Sequence, residues 1–153
     1  MKNLFRTLAL CLSLTLGAGA LAAERGTADE AVAMVHKVIA DMKANGKDKT
    51  IAEINTLGNR YRDRDLYVTV MDMNGKELAH GANKRMQGVD LIDIKDQDGK
   101  AYIRERIALV KANGKGWQDY KFVNPVTKSM EPKSMYFEKY EDLLVSCGIY
   151  KKP

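Results

Sequence analysis

The chain has 153 residues, with 25 Lys+Arg against 20 Asp+Glu, two histidines and two cysteines, and it is 45% hydrophobic and 29% charged. That size and balance fit one compact domain and exclude a disordered, collagen-like or multidomain chain. The charges alternate in sign with no Lys/Arg block, so the basic footprint of a nucleic-acid binder is missing.

Residues 1–23 have the layout of an export leader. Lys2 and Arg6 form a basic start, Leu8 to Leu16 an apolar run, and the small residues of 17–23 a cleavage region. Ser13, Thr15 and Gly17 interrupt the run, which is shorter than the roughly 20 residues a membrane-spanning helix needs. The mature chain then begins at Ala23 or Glu24, periplasmic or secreted; the alternative is a domain tethered to the inner membrane by an uncleaved leader. Losing Lys2 and Arg6 leaves 23 basic against 20 acidic residues and lowers the formal charge from +5 to +3. Cys11 leaves with the leader, so Cys147 has no disulfide partner and is expected as a small buried residue on a strand.

Thr27-Ala-Asp-Glu30 is a capping-box pattern that opens a helix. Ala28, Ala31, Val35, Val38 and Met42 follow at helical spacing, and Asn45-Gly46 supplies the stop. Ile51, Ile54 and Leu57 predict a second short helix over 48–57, ended by Gly58-Asn59, and the charged stretch 60–65 connects it onward. Leu66 to Met71 is β-branched and aromatic, Asp72-Met-Asn-Gly75 is a hairpin turn, and 76–80 returns as the partner strand. The 81–99 segment is too long for an ordinary connection and is expected to be a functional flap. Ile103, Ile107 and Val110 predict a helix over 100–113 stopped by Gly114. Strands over 117–123, 131–139 and 143–150 follow, the first two joined by the Asn124-Pro125 turn. Helices gathered beside strands with short turns define an α+β domain with an antiparallel sheet.

Most catalytic signatures are missing: no His-Glu-x-x-His pair, no Gly-x-Ser-x-Gly elbow, no phosphate-binding glycine loop and no Cys-x-x-Cys. No enzyme activity, cofactor or metal is therefore expected. Asp93, Asp96 and Asp98 ahead of Gly99 suggest a calcium loop, but its leading position would be Ile94, so Asp96-Gln-Asp-Gly99 reads as a turn. The informative cluster is His80, Tyr102, Trp117, Tyr120, Lys133 and Tyr136. One lysine among rings and hydrogen-bond donors suits a small carboxylate; the same aromatics also suit ordinary sheet packing.

Several ordered segments resemble the single Cache domains, extracytoplasmic sensor modules with a PAS-like sheet: 72–83, Gly88-Val-Asp-Leu91, 95–100, Gly116-Trp-Gln-Asp-Tyr120, Asn124-Pro125, Pro132-Lys133 and Gly148-Ile-Tyr150. The resemblance implies a domain over 24–153, with a long N-terminal helix on one face of the sheet and, on the other, a ligand pocket roofed by 81–113. It implies a short acid such as acetate, propionate, pyruvate or lactate, with Lys133 on the carboxylate and His80, Tyr102, Trp117, Tyr120 and Tyr136 lining or closing the site. Lys133 and Tyr136 are three apart, so a regular strand puts them on opposite faces and only a bulge brings both to one site. Such domains commonly sit between two membrane helices, whereas no second apolar span precedes Pro153. A separate membrane receptor or sensor kinase would then read the bound form. A homodimer through the first helix and a partner-binding accessory with a vestigial pocket are the other arrangements expected.

Overall fold

Thr27 closes the start of the first helix from both sides. Its hydroxyl oxygen accepts from the Glu30 backbone N–H at 3.3 Å, and the Glu30 carboxylate accepts from the Thr27 N–H at 2.7 Å. The computed structural model describes residues 24–56 and 58–151; the expected leader and Leu57 lie outside the described residues. Helix α1 runs Ala28–Asn45 and buries Ala31, Val35, Val38, Ile39 and Met42, the stripe its spacing predicts. Gly46, at φ +92°, ends α1 and starts α2, Lys47–Ile54, one residue earlier than expected. The chain leaves α2 at Asn55, whose side chain turns to the sheet: its amide donates to the Leu78 carbonyl and its oxygen accepts from the His80 N–H.

Strands β1 (Arg62–Asp63), β2 (Leu66–Asp72), β3 (Glu77–His80), β4 (Lys115–Val123), β5 (Met130–Tyr140) and β6 (Leu143–Tyr150) form one antiparallel sheet. Its order is β1, β2, β6, β5, β4, with β3 also joined to β2. Helix α3, Tyr102–Asn113, begins two residues later than its expected start. Short β1 lies inside the stretch expected to be a plain connector. The predicted turn holds: Asp72 accepts from the N–H groups of Asn74 and Lys76, and Gly75 sits at φ +96° where a side chain would be strained.

The two faces of the sheet carry separate cores. Val68, Val70, Val145 and Cys147 pack with α1, while Met71, Met135, Phe137 and Leu144 pack with Ile103, Ile107 and Val110 of α3. Residues 81–101 lie over the second face and are tied down rather than free. Glu77 donates its N–H to the Val89 carbonyl and accepts from the Gly88 N–H, and Leu91 donates to the Gly75 carbonyl. The outer edge of β3 is thereby covered by the returning chain, which protects it from pairing with another strand. Asp96 behaves as a turn residue, accepting from the N–H groups of Asp98, Lys100 and Lys121.

Gly148 occupies a notch where β5 and β6 approach closely. A Cβ there would stand 2.7 Å from the Ser134 carbonyl oxygen, 2.8 Å from Lys133 Cε and 3.0 Å from Met135 Cα. Two of these are backbone atoms that cannot move aside without breaking the ladder. Gly148→Ala is therefore expected to destabilise the domain by about 1–3 kcal/mol, measured by urea unfolding; a midpoint equal to wild type would show that the two strands separate easily.

Candidate functional site

Between the sheet, α3 and the roof lies a cavity lined by Tyr67, Thr69, Glu77, His80, Tyr102 and Arg106, closed by Tyr120, Phe122, Met135 and roof residues. Its volume is about 20 Å³, room for about one water molecule. A larger cleft of about 480 Å³ shares Tyr67, His80 and Phe122 with it and reaches Asn83, Pro125 and Lys128.

Glu77 and His80 are three apart on β3, yet both face the cavity. The pairing of β2 with β3 shifts between Val70 and Met71, leaving Leu78 as the extra residue of a bulge, and the bulge returns both side chains to one face. His80 Nδ1 accepts from the backbone N–H groups of Ala82 at 3.3 Å and Asn83 at 3.0 Å, so the imidazole carries its proton on Nε2. Burial, followed by the charge of Lys133, pulls its pKa down to about 3, so it is neutral at every ordinary pH. It stacks on the Tyr67 ring, with centroids 4.9 Å apart.

Lys133 stands behind the cavity wall rather than in it. Its ammonium, on a side chain 1% exposed, donates to the Tyr67 phenol at 2.7 Å and the Tyr150 phenol at 3.2 Å. The Tyr67 and Tyr150 oxygens are 3.0 Å apart, and Tyr150 donates on to the Val123 carbonyl. The rings of Tyr67 and Tyr150 lie 3.9 and 4.5 Å from the ammonium, close enough for cation–π attraction. Among the described residues no carboxylate is within ion-pair distance, and burial pulls the lysine down to about 7.

Arg106 is the cation that reaches the cavity. It is 3% exposed; its Nε donates to the Gln118 side-chain oxygen at 3.0 Å, and its guanidinium lies over the stacked rings of Tyr120 and Tyr102, at 5.0 and 5.6 Å. Its Nη2 is buried with no hydrogen-bond partner. Glu77 Oε1 is likewise buried and unpartnered, and burial, outweighing the attraction of Arg106 and Lys133, raises that carboxyl to about 8. Both groups belong to residues that line one small space, and each costs about 1–3 kcal/mol while it stays unpaired.

Of the six residues singled out by sequence, the structure brings together His80, Tyr102 and Tyr120, with Lys133 one layer behind. It places Trp117 and Tyr136 elsewhere, which corrects their expected position in the pocket. The registers of β5 with both neighbours run without interruption, so no bulge intervenes and alternation sends Tyr136 to the α1 face. There its phenol donates to Glu138 and its ring meets His36 and its cross-strand partner Trp117, which is 39% exposed. Sequence reasoning passed over Arg106, Glu77, Tyr67 and Gln118. Arg106 had a signal: it falls on the apolar stripe of α3, between Ile103 and Val110, where a cation has no ordinary reason to be. Glu77 had none, because its direction depends on the bulge.

A six-stranded antiparallel sheet with a long helix on one face and a roofed cavity on the other is the architecture of Cache and PAS-like sensor folds. The profile of the family "Single Cache domain 2" matches residues 21–152, and the chain belongs to that family. Among solved structures, a methyl-accepting chemotaxis protein from Vibrio parahaemolyticus is similar with a TM-score of 0.67 and 25% identity, over 80% of this chain and 86% of that one. A Cache chemosensory domain described for carboxylic acid recognition is similar with a TM-score of 0.64 and 24% identity, over 81% and 88%. Among curated proteins, the chain is 28% identical over 90 residues to the methyl-accepting chemotaxis protein McpP of Pseudomonas putida, covering 58% of this chain and 16% of that one. It is 30% identical over 89 residues to the sensor histidine kinase MctS of Rhizobium johnstonii, covering 57% and 19%. The chain thus spans less than a fifth of the curated relatives it matches. Cache domains are extracytoplasmic sensing modules, and this chain is one of them; among the described residues no helix is long and apolar enough to cross a membrane.

The lysine behind the wall carries a stability cost of definite sign. Its folded pKa, about 7, lies below the ordinary 10.5, so burial of its charge opposes folding fully below pH 7 and ceases to do so above the unfolded value. Lys133→Met is therefore expected to raise stability below pH 7, by on the order of a few kcal/mol, with the gain shrinking as pH rises toward 10.5. Thermal unfolding from pH 6 to 10 measures this; a loss of stability at pH 6 would mean that the phenol cage compensates the charge in full.

Proposed function

We propose that this domain is an extracytoplasmic receptor module for a short organic acid, held by Arg106 in the cavity between the sheet and α3. The observation that carries the reading is the unpartnered Nη2 of a guanidinium buried on a wall of that cavity. A guanidinium offers a planar fork matched to a carboxylate, and in a site shielded from water such a pair is strong. Lys133 adds positive potential from behind Tyr67, while the neutral His80 and the Tyr102 and Tyr120 rings supply directed hydrogens and apolar walls. A solved Cache domain of the same fold recognises carboxylic acids, which agrees with this chemistry. Export by removal of residues 1–23 belongs to the same reading, as does a separate membrane protein that senses the occupied form; the curated relatives are a chemoreceptor and a sensor kinase.

The cavity as it stands is smaller than any such acid, so binding must open it. A thermal-shift and calorimetric panel of two- to four-carbon acids tests the reading on residues 24–153. A ligand at a hundred times its dissociation constant should add about 2.7 kcal/mol of stability, and Arg106→Met should abolish the shift. A panel with no shift for any acid would reject the reading in favour of a partner-binding accessory.

Affinity should also fall as pH rises from 6 to 9. Below about 7 Lys133 is charged and Glu77, with a pKa of about 8, is neutral; above 8 the lysine has lost its charge and the glutamate has gained one. Both changes oppose an anion, each by up to about tenfold per pH unit within its window. His80 contributes nothing there, being neutral above about 3. Dissociation constants at pH 6, 7.5 and 9 decide it, and a pH-independent affinity would place the anion away from both groups.

A further inference from the structure

Arg106 Nη2 and Glu77 Oε1 are unpartnered across one cavity, yet they form no ion pair with each other. They come from different elements, α3 and β3, and both residues line the same space, which offers a donor and a carboxyl to whatever fills it. An unsubstituted acid would satisfy only the first. With its carboxylate on Arg106, an acetate or propionate would present methyl or methylene groups to Glu77 and leave a buried carboxyl without a partner, as costly as before.

We infer that Glu77 is a specificity-determining residue, which makes the site prefer acids bearing an oxygen on the carbon next to the carboxylate, the 2-hydroxy and 2-oxo acids, over the unsubstituted acid of equal length. This rests on the carboxylate reading of the same cavity. The bulge at Leu78 is what turns Glu77 inward; Glu77 is 3% exposed, lines the cavity along with Tyr102, Ile103 and Leu91, and its side chain makes no hydrogen bond to any described residue. A carboxyl that keeps its proton can donate to a keto oxygen and accept from a hydroxyl, so one residue serves both ligand types. An ammonium group in that position is disfavoured, because Arg106 already places one cation in the cavity and Lys133 a second behind it. A site that leaves a buried polar group unpaired with the wrong ligand discriminates better than one that adds or removes a methylene.

The test compares propionate, lactate and pyruvate, three acids of one chain length, by calorimetry at pH 6.5. Wild type should bind lactate or pyruvate about tenfold tighter than propionate. Glu77→Met should erase most of that ratio while leaving propionate within about threefold, and Glu77→Gln, which keeps a donor and an acceptor, should preserve it. Because Glu77 satisfies nothing in the unliganded fold, both variants should fold with midpoints at or above wild type. Equal affinities for the three acids in wild type, or a ratio unchanged in Glu77→Met, would overturn the role of Glu77 while leaving the carboxylate reading standing. No binding of any of the three to wild type, together with a flat panel of the other acids, would overturn both.

Discussion

Two cations are buried on one face of one sheet, and among the described residues neither has a carboxylate within ion-pair distance. Taking an ammonium or guanidinium out of water is expensive unless its hydrogens are satisfied. The surroundings of Lys133 and Arg106 are arranged under that constraint. For Lys133 the answer is a relay of oxygens, Tyr67 to Tyr150 to the Val123 carbonyl, with rings packed around the charge. For Arg106 it is half an answer: Gln118 takes Nε, the tyrosine rings take the guanidinium face, and Nη2 is left to whatever enters the cavity.

Strand alternation divides the work of the sheet. On β5 the even positions Tyr136 and Glu138 face α1, while Glu131, Lys133 and Met135 face the cavity side. Glu131, two residues before Lys133, accepts from Arg25, Thr127 and Asn124, and these partners hold it down to about 2 despite its burial. One edge of the same strand face therefore fixes the chain just ahead of α1, and the next position fixes the base of the cavity. Gly148 on β6 makes this possible, since the Lys133 stem runs through the space a side chain would fill.

Much of the fold could be read from local signals because those signals are themselves local physics. The Thr27–Glu30 capping box, the Asn45-Gly46 stop, the Asn74-Gly75 turn and the final strand, observed at Leu143–Tyr150, need no knowledge of distant residues. The site was legible in part. His80, Tyr102, Tyr120 and Lys133 stand out in the sequence as an unusual cluster, and period-two alternation already sets Lys133 and Tyr136 on opposite faces. What the sequence could not reveal was set by long-range register. Trp117 lies opposite Tyr136, and that pairing, not residue type, sends both rings to the α1 face. Glu77 is turned inward by a bulge defined only by the pairing of β2 with β3. Arg106 was legible as a cation on an apolar helix stripe; its importance emerges only once Gln118 and the tyrosine stack are seen to leave one nitrogen unpaired.

The smallness of the cavity limits where the structure can yield. The floor is a sheet whose ladders run continuously from β4 through β5 to β6 and β2, and opening it would break many hydrogen bonds at once. The roof is held differently. His80 Nδ1 fixes Ala82 and Asn83, and the Glu77 backbone fixes Gly88 and Val89, so the roof chain is pinned at both sides of residues 84–87. Helix α3 is joined to the sheet through apolar contacts and through the Gln118 side chain, which accepts from Arg106 and donates to the Tyr102 carbonyl. A single amide thus orients both the cation and the first turn of the helix that carries it. Apolar contacts slide at less cost than a ladder breaks, so α3, which carries Arg106 and Tyr102, is the wall of the cavity with the least holding it to the sheet.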